Sequence, residues 1–284
     1  MGTKEYDRLP KTPPFRRVVA VIGSGAGFSG TPGVSPGSLA AIADATLDAS
    51  LDGLQRAKSD DGLAYALFLL TQITQAARQE DFLAALHGLG LPSPKVNVAA
   101  PLSDVATADY DIHDLVASFT TAVDRQLRRD QSRTDIGEMA QQAAAESLVA
   151  LCSPRSETLF GSSLETVKDA LYSLSTKKGF ATLTQDFFAR LTRRYLLYHL
   201  SRELSNHVGS DRRFKSIDEH NAFIRQLDDH CRVCSHMVRR FAGEWYSKHN
   251  WEGGITPRKA QGFAAHAIDK MQFALKQKGA DDGG

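Results

Sequence analysis

Apolar residues recur every three or four positions along most of the chain after residue 38. This spacing predicts amphipathic α-helices, because positions three and four apart share one helix face. The pattern covers residues 39–54, 63–73, 82–89, 112–127, 135–152, 180–204, 223–245 and 263–275. Only 18–22 and 95–99 resemble strands, and two short strands cannot build a sheet. The sequence therefore predicts an all-α multi-helix bundle of about eight to ten helices, with a short Gly-rich N-terminal segment.

Three residue pairs have the spacing of an N-terminal capping box, in which a hydroxyl or carboxylate residue is followed by glutamate three positions later. The pairs are Asp135–Glu138, Ser162–Glu165 and Ser216–Glu219. Each pair stands just before a helical pattern, so we expect a helix to open at each of them.

The two ends of the chain lack the helical pattern. Residues 1–13 are polar and contain prolines, which predicts a flexible arm, and 279–284 predict a disordered tail. Residues 14–278 are expected to form a single helical domain. The stretch near 92–110 is rich in Pro, Ser, Asn and Asp, and it is the best candidate for a boundary inside that domain.

Composition is that of an ordinary globular protein, with 42% hydrophobic and 24% charged residues. The net charge of +1 divides unevenly, with −5 over residues 1–150 and +5 over residues 186–284. This asymmetry hints that the C-terminal part meets something acidic. No apolar run approaches the roughly 20 residues that span a bilayer, and no signal peptide is recognisable, so we expect no membrane association.

The chain has three cysteines, Cys152, Cys231 and Cys234. An odd, small number in a chain of 284 residues does not indicate a disulfide framework. Free thiols are typical of a reducing compartment, so the sequence predicts a cytoplasmic protein.

A glycine-rich stretch, Gly23–Gly33, follows the apolar run 18–22. Within it, the sequence GAGFS at 25–29 with a further glycine at 33 resembles the opening motif of sirtuin-type NAD-consuming enzymes. That resemblance implies a phosphate-cradling loop and a parallel sheet. The family's following Pro-x-Phe-Arg is absent, and no alternating strand–helix pattern follows. The sequence therefore favours a loop that joins a short segment to a helix, and it leaves nucleotide binding open.

Cys231 and Cys234 form a C-x-x-C flanked by two histidines, which could hold zinc if further ligands came from elsewhere. Both cysteines also fall on the apolar stripe of a predicted helix, so we interpret them as core residues and predict no metal. His199, Glu203 and His207 share one helix face and are a second candidate for metal ligands. Their spacing differs from the usual Glu-x-x-His, and a solvated face explains them better.

Both tryptophans of the chain stand in the segment 245–254, together with several polar residues and two glycines. A tryptophan in a loop is typical of an interface anchor. The predicted partner-binding residues are Trp245, Lys248, His249, Asn250, Trp251 and Glu252. The alternative is a helix C-terminus with a glycine stop and Trp251 folded back onto the bundle.

Arginines are frequent between residues 190 and 240, where tyrosine and phenylalanine interleave with them. Such a surface could bind the phosphates of nucleic acid. The candidate contacts are Arg193, Arg194, Arg212, Arg213, Arg239 and Arg240. Nearby aspartates and glutamates dilute the charge, and an ordinary charged surface is the simpler explanation.

No complete catalytic motif is present, and the apolar stripes are wide. The leading hypothesis is therefore a non-enzymatic interaction or assembly subunit that needs no cofactor and binds a protein partner or a second copy of itself. One alternative is a helical module that binds nucleic acid through the arginines. Another is an NAD-consuming or metal-dependent enzyme.

Overall fold

The computed structural model describes residues 56–91, 110–130, 133–156 and 163–281, and before them only Arg16, Val18, Val19, Ile22, Ile42, Ala45 and Thr46. The helices with defined bounds are α1 (Asp61–Ala76), α2 (Phe82–Gly88), α3 (Ile112–Arg129), α4 (Asp135–Ser156), α5 (Leu164–Leu174), α6 (Lys177–Asn206), α7 (Ile217–Trp251) and α8 (Pro257–Asp281). These ranges contain no strand beyond one isolated bridge in the α6–α7 turn. The all-α multi-helix fold is confirmed.

Local structure departs from the sequence prediction at both ends. Val18, Val19 and Ile22 are helical, so the strand interpretation of this run is wrong. Val18 and Ile22 are both buried and stand four positions apart, which places them on one helix face. At the other end, α8 ends at Asp281 and includes residues that the sequence assigns to a disordered tail.

Several predicted features lie outside the described residues: the arm 1–13, the Gly23–Gly33 loop, most of the boundary stretch near 92–110 and the last three residues of the chain. Within the described ranges, none of the helices combines the length and the apolar character that crossing a bilayer requires.

The start of α7 matches the capping prediction. Ser216 precedes the helix in an extended conformation, and its Oγ accepts a hydrogen bond from the Glu219 backbone N–H at 3.3 Å. The Glu219 carboxylate reaches back to the backbone N–H of Lys215 at 2.7 Å. These bonds satisfy donors that the first helical turn leaves without partners.

Two other helix starts are shifted by one residue. Ser163, not Ser162, caps α5, and its partner three residues later is Thr166. The Oγ1 of Thr134 accepts the backbone N–H three residues later, and Asp135 is the first residue inside α4. The predicted boxes at Ser162 and Asp135 are wrong in register because neighbouring hydroxyls provide the same acceptor one position away.

The centre of the molecule is the antiparallel pair α6–α7. Phe180, Phe187 and Phe188 of α6 are fully buried. The pair is in close contact at Gly243 of α7, where an added Cβ would lie 2.6 Å from the carbonyl oxygen of Lys177. This contact requires a residue without a side chain.

Helices α1 and α8 bring distant parts of the chain together. Lys58, just before α1, forms an ion pair with Asp269 of α8 at 2.5 Å. Helix α1 also crosses α4 at Gly62, where an added Cβ would lie 2.7 Å from the Cα of Gly137. The buried apolar side chains form one cluster that extends from Val18 to the last turns of α8.

Candidate interaction surface

The segment 245–254 is helical as far as Trp251, so the prediction of a loop is wrong for its first part. The helix stops because Gly253 and Gly254 adopt φ values of 90° and 96°, a region that favours glycine. The Gly254 N–H closes the turn by donating to the carbonyl of His249 at 2.9 Å, the geometry of a glycine C-cap. A rigid helix end therefore carries these residues.

The two tryptophans have opposite environments. The Trp245 ring packs against Phe263 at 4.4 Å between ring centroids, and it also contacts Phe180 and His249. Trp251 is 91% exposed and does not fold back onto the bundle. Trp245 is partly buried against the core, so Trp251 is the more accessible of the two.

The turn beyond Trp251 is fixed by α1. The Gln72 side-chain amide donates to the carbonyl oxygen of Ile255 at 3.4 Å. The hydroxyl of buried Tyr246 is 3.0 Å from Thr74 Oγ1 and accepts a bond from the Gln75 amide. These contacts hold the end of α7 and the start of α8 in a single arrangement.

We call the surface made by Lys248, Asn250, Trp251, Glu252, Arg258 and Lys259 the α7–α8 corner. Lys248 and Glu252 are 3.9 Å apart, at the limit of an ion pair. The Lys259 ammonium donates to the carbonyl of Gly254 at 2.8 Å. Arg258 is exposed and has no ion pair within the described ranges. The corner thus combines an exposed indole with an excess of positive charge.

The predicted partner-binding residues divide between exposed and partly buried positions. Lys248, Trp251 and Glu252 are exposed. His249 is half-buried, with Nδ1 2.8 Å from the Trp245 carbonyl oxygen, and the half-buried Asn250 faces the Tyr246 hydroxyl. Trp245 and His249 are partly buried, and their contacts support the helix end.

An open polar cleft of about 750 Å³ is lined by α1, α2 and the turn between them. Its lining includes Gln72, Gln75, Arg78, Gln79, Glu80 and Asp81. Two of these glutamines are the ones that hold the corner in place. Arg78 is turned towards α5, where it donates to the hydroxyl and the carbonyl of Ser175 at 2.9 and 3.0 Å.

The arginines of α6 face carboxylates. Arg193 is 3.4 Å from Asp228, and Arg194 pairs with Glu146 of α4. Because neighbouring acids neutralise these two guanidinium groups, they present little net positive charge to a polyanion.

The other candidate arginines do not form one surface. Arg213 is half-buried, it donates to the carbonyl of Ile22, and burial lowers its pKa. Arg212 binds a backbone carbonyl at the end of α6 at 3.3 Å, whereas Arg239 contacts a glutamine side chain of α6 at 3.4 Å. Arg239 and Arg240 are exposed on α7. Of the six candidates, Arg212, Arg239 and Arg240 are exposed, and the other three are partly buried.

A charge network joins α4, α6 and α7. The Asp186 side chain, 12% exposed, binds Arg190 at 2.6 Å and Arg232 at 3.3 Å. Asp228 lies 3.1 Å from Arg232, and Glu146 lies 3.4 Å from Arg190. Each cation of this network meets at least one carboxylate.

The three cysteines are buried free thiols. Burial raises the pKa of Cys231 far above its ordinary value and that of Cys152 to about 12. Cys231 and Cys234 pack in the core, as the apolar stripe predicts. In the part of the chain that the structure describes, no three His, Cys, Asp or Glu side chains are grouped so as to hold a metal ion.

The second metal candidate has a mixed environment. His199 is half-buried, its ring contacts Tyr195 and Tyr198 edge-on, and burial lowers its pKa. Glu203 is 7% exposed, and His207 is the C-cap residue that follows α6. The aromatic contacts account for the position of His199 as a packing residue.

Sequence reasoning missed Arg258, Lys259 and the supporting glutamines of α1. Two consecutive cations after Thr256-Pro257 could have indicated a special surface, because the first turn of a helix normally favours acidic residues. The first turn of α8 has none. The glutamines carry no such signal, since their role depends on contacts between residues more than 170 positions apart.

No known protein family, curated protein or solved structure matches this chain.

Proposed function

We propose that this protein is a non-enzymatic interaction or assembly subunit that binds a protein partner at the α7–α8 corner. The observation that carries this proposal is Trp251, which is 91% exposed at the end of a 35-residue helix. Burying a tryptophan against a partner removes a large apolar area from water. Few other residue types contribute as much to protein interfaces.

The rigidity of the corner supports the same function. The bonds from Gln72 and Gln75 fix the turn, so little conformational entropy is lost when a partner contacts it. The three buried free thiols support the expectation of a reducing, cytoplasmic environment.

The nucleic-acid alternative has weaker support, because carboxylates neutralise Arg193 and Arg194 and Arg213 is half-buried. The NAD alternative depends on the Gly23–Gly33 loop, which is not among the described residues.

The test compares Trp251→Ala with Phe273→Ala in affinity purification of the tagged full chain from its native extract. Phe273 serves as the control because it is another exposed aromatic residue, 54% accessible. It lies about 24 Å along α8 from the start of that helix. We expect a partner that co-purifies with the wild type and with Phe273→Ala and is lost from Trp251→Ala. Equal recovery with both variants, or a strictly monomeric chain with no partner, contradicts the proposal.

A further inference from the structure

The cations of the α7–α8 corner differ from the arginines of the charge network around Asp186, each of which meets a carboxylate. Within the described ranges, Arg258 meets no carboxylate, and the only described bond of the Lys259 ammonium is to the carbonyl of Gly254. Lys248 is 68% exposed and has Glu252 only at 3.9 Å. The corner therefore carries three cations against one acid, all within a few residues of Trp251.

Positive charge that is left without a counter-charge favours a partner of opposite sign. Complementary charges steer the encounter and disfavour wrong partners, although each exposed pair adds little to stability. An exposed indole among them favours an apolar or aromatic side chain that can cover the ring. Together they describe a ligand with both acidic and apolar residues.

We propose that the α7–α8 corner binds an acidic segment of a partner protein, with carboxylates facing Lys248, Arg258 and Lys259 and an apolar side chain covering Trp251. This inference rests on the proposed function and adds the chemistry of the partner. It separates the corner from the charge network of Asp186, where the arginines already have acidic partners.

The direct test uses a short dye-labelled synthetic peptide of alternating glutamate and phenylalanine, titrated with the full chain and followed by fluorescence polarisation. Lys248→Glu/Arg258→Glu should weaken binding about tenfold or more, since it replaces two attractions by two repulsions. The matched control is Arg239→Glu/Arg240→Glu, which reverses two exposed cations elsewhere on α7. This control should change the affinity less than about twofold.

A second readout, the fluorescence of Trp251, tests whether the peptide contacts the indole ring. In a Trp245→Phe background, Trp251 is the sole tryptophan, and its emission should shift to shorter wavelength when the peptide covers it. The peptide with glutamine in place of glutamate should bind at least about tenfold more weakly, and its affinity should be insensitive to salt.

Three results overturn the inference: no binding of the acidic peptide at millimolar concentration, equal loss in the corner and control variants, or binding of a single-stranded oligonucleotide but not of the peptide.

If the chain forms a dimer, and Lys248→Glu/Arg258→Glu abolishes that dimer, a second copy of the chain is the occupant instead. If Trp251→Ala loses the natural partner but the charge reversal retains it, the acidic chemistry is wrong and the proposed function stands. If neither variant changes partner recovery, the proposed function itself fails.

Discussion

The middle of α7 and its end show two uses of the same residue types. In the middle, Arg232 meets two aspartates, and Cys231 is buried. Trp245, packed among aromatic rings, stands six positions before Trp251, which faces solvent. In one region the helix satisfies its aromatic and charged groups internally, and in the other it leaves them available.

This difference shows that composition does not identify a binding surface. The arginine-rich stretch has more cations than the corner, yet acids of α4, α6 and α7 neutralise many of them. The corner has fewer cations, and the described residues around Arg258 include no acid that pairs with it. The balance of each charge with its neighbours therefore identifies the candidate surface.

The largest contrast is expected between the two tryptophans. Trp245→Ala should lower the free energy of unfolding by about 3 kcal/mol, because it leaves a cavity beside Phe180 and Phe263. Trp251→Ala should change it by less than about 0.5 kcal/mol, as is usual for exposed sites. Urea denaturation of both variants measures this, and comparable losses would mean that Trp251 is a packing residue.

Alanine substitutions at two glycines compare a tight helix contact with an open position. Gly243→Ala should cost about 2 kcal/mol, because its Cβ would meet the backbone of Lys177. Gly262→Ala in α8 has open space, and it should stabilise by about 0.5–1 kcal/mol through the better helix propensity of alanine. Thermal unfolding distinguishes the signs; a stabilised Gly243→Ala would show that the α6–α7 contact is loose.

The charge network should respond more strongly than the corner to loss of one acid. Asp186→Asn removes the carboxylate shared by Arg190 and Arg232, and we expect a loss of about 1–2 kcal/mol, because the site is mostly shielded from water. Glu252→Gln at the corner should cost less than about 0.5 kcal/mol, since that pair is exposed. Denaturation in low and high salt tests both, and equal effects would remove the distinction between the regions.

The smallest expected effect is on the loss of stability at acidic pH. Because burial lowers the pKa of His199, the unfolded chain binds this proton more readily than the folded one. The contribution of His199 to stability is full above its ordinary pKa of about 6.5 and is lost as the pH falls below it. His199→Gln should therefore flatten the decline in stability between about pH 7 and pH 5. An unchanged decline would mean that other groups cause it.

The sequence predicted the fold well, because helical periodicity records which face of each helix is buried. The stripe through Leu227, Cys231, Cys234 and Val238 is buried as its spacing predicts. Capping signals were accurate only to about one residue, since hydroxyls next to each other compete for the same N–H groups. At α5 this competition places Ser163 at the cap instead of Ser162.

The candidate site was predicted only in part. The sequence indicated the segment around Trp251, but periodicity did not separate Trp251 from Trp245, because the burial of each depends on which helices lie beside α7. The ion pair between Arg194 and Glu146 could not be predicted from the sequence either, since the two residues are 48 positions apart. Such facts arise from tertiary packing, which one sequence does not record locally.

The bond between Gln72 and Ile255 joins residues 183 positions apart. During synthesis, α1 leaves the ribosome long before the turn that it later holds has been made. A truncated product that stops before Ile255 therefore lacks this bond and the geometry that it fixes beneath Trp251. A partner that requires this geometry would therefore not bind a nascent chain in which Ile255 has still to be added.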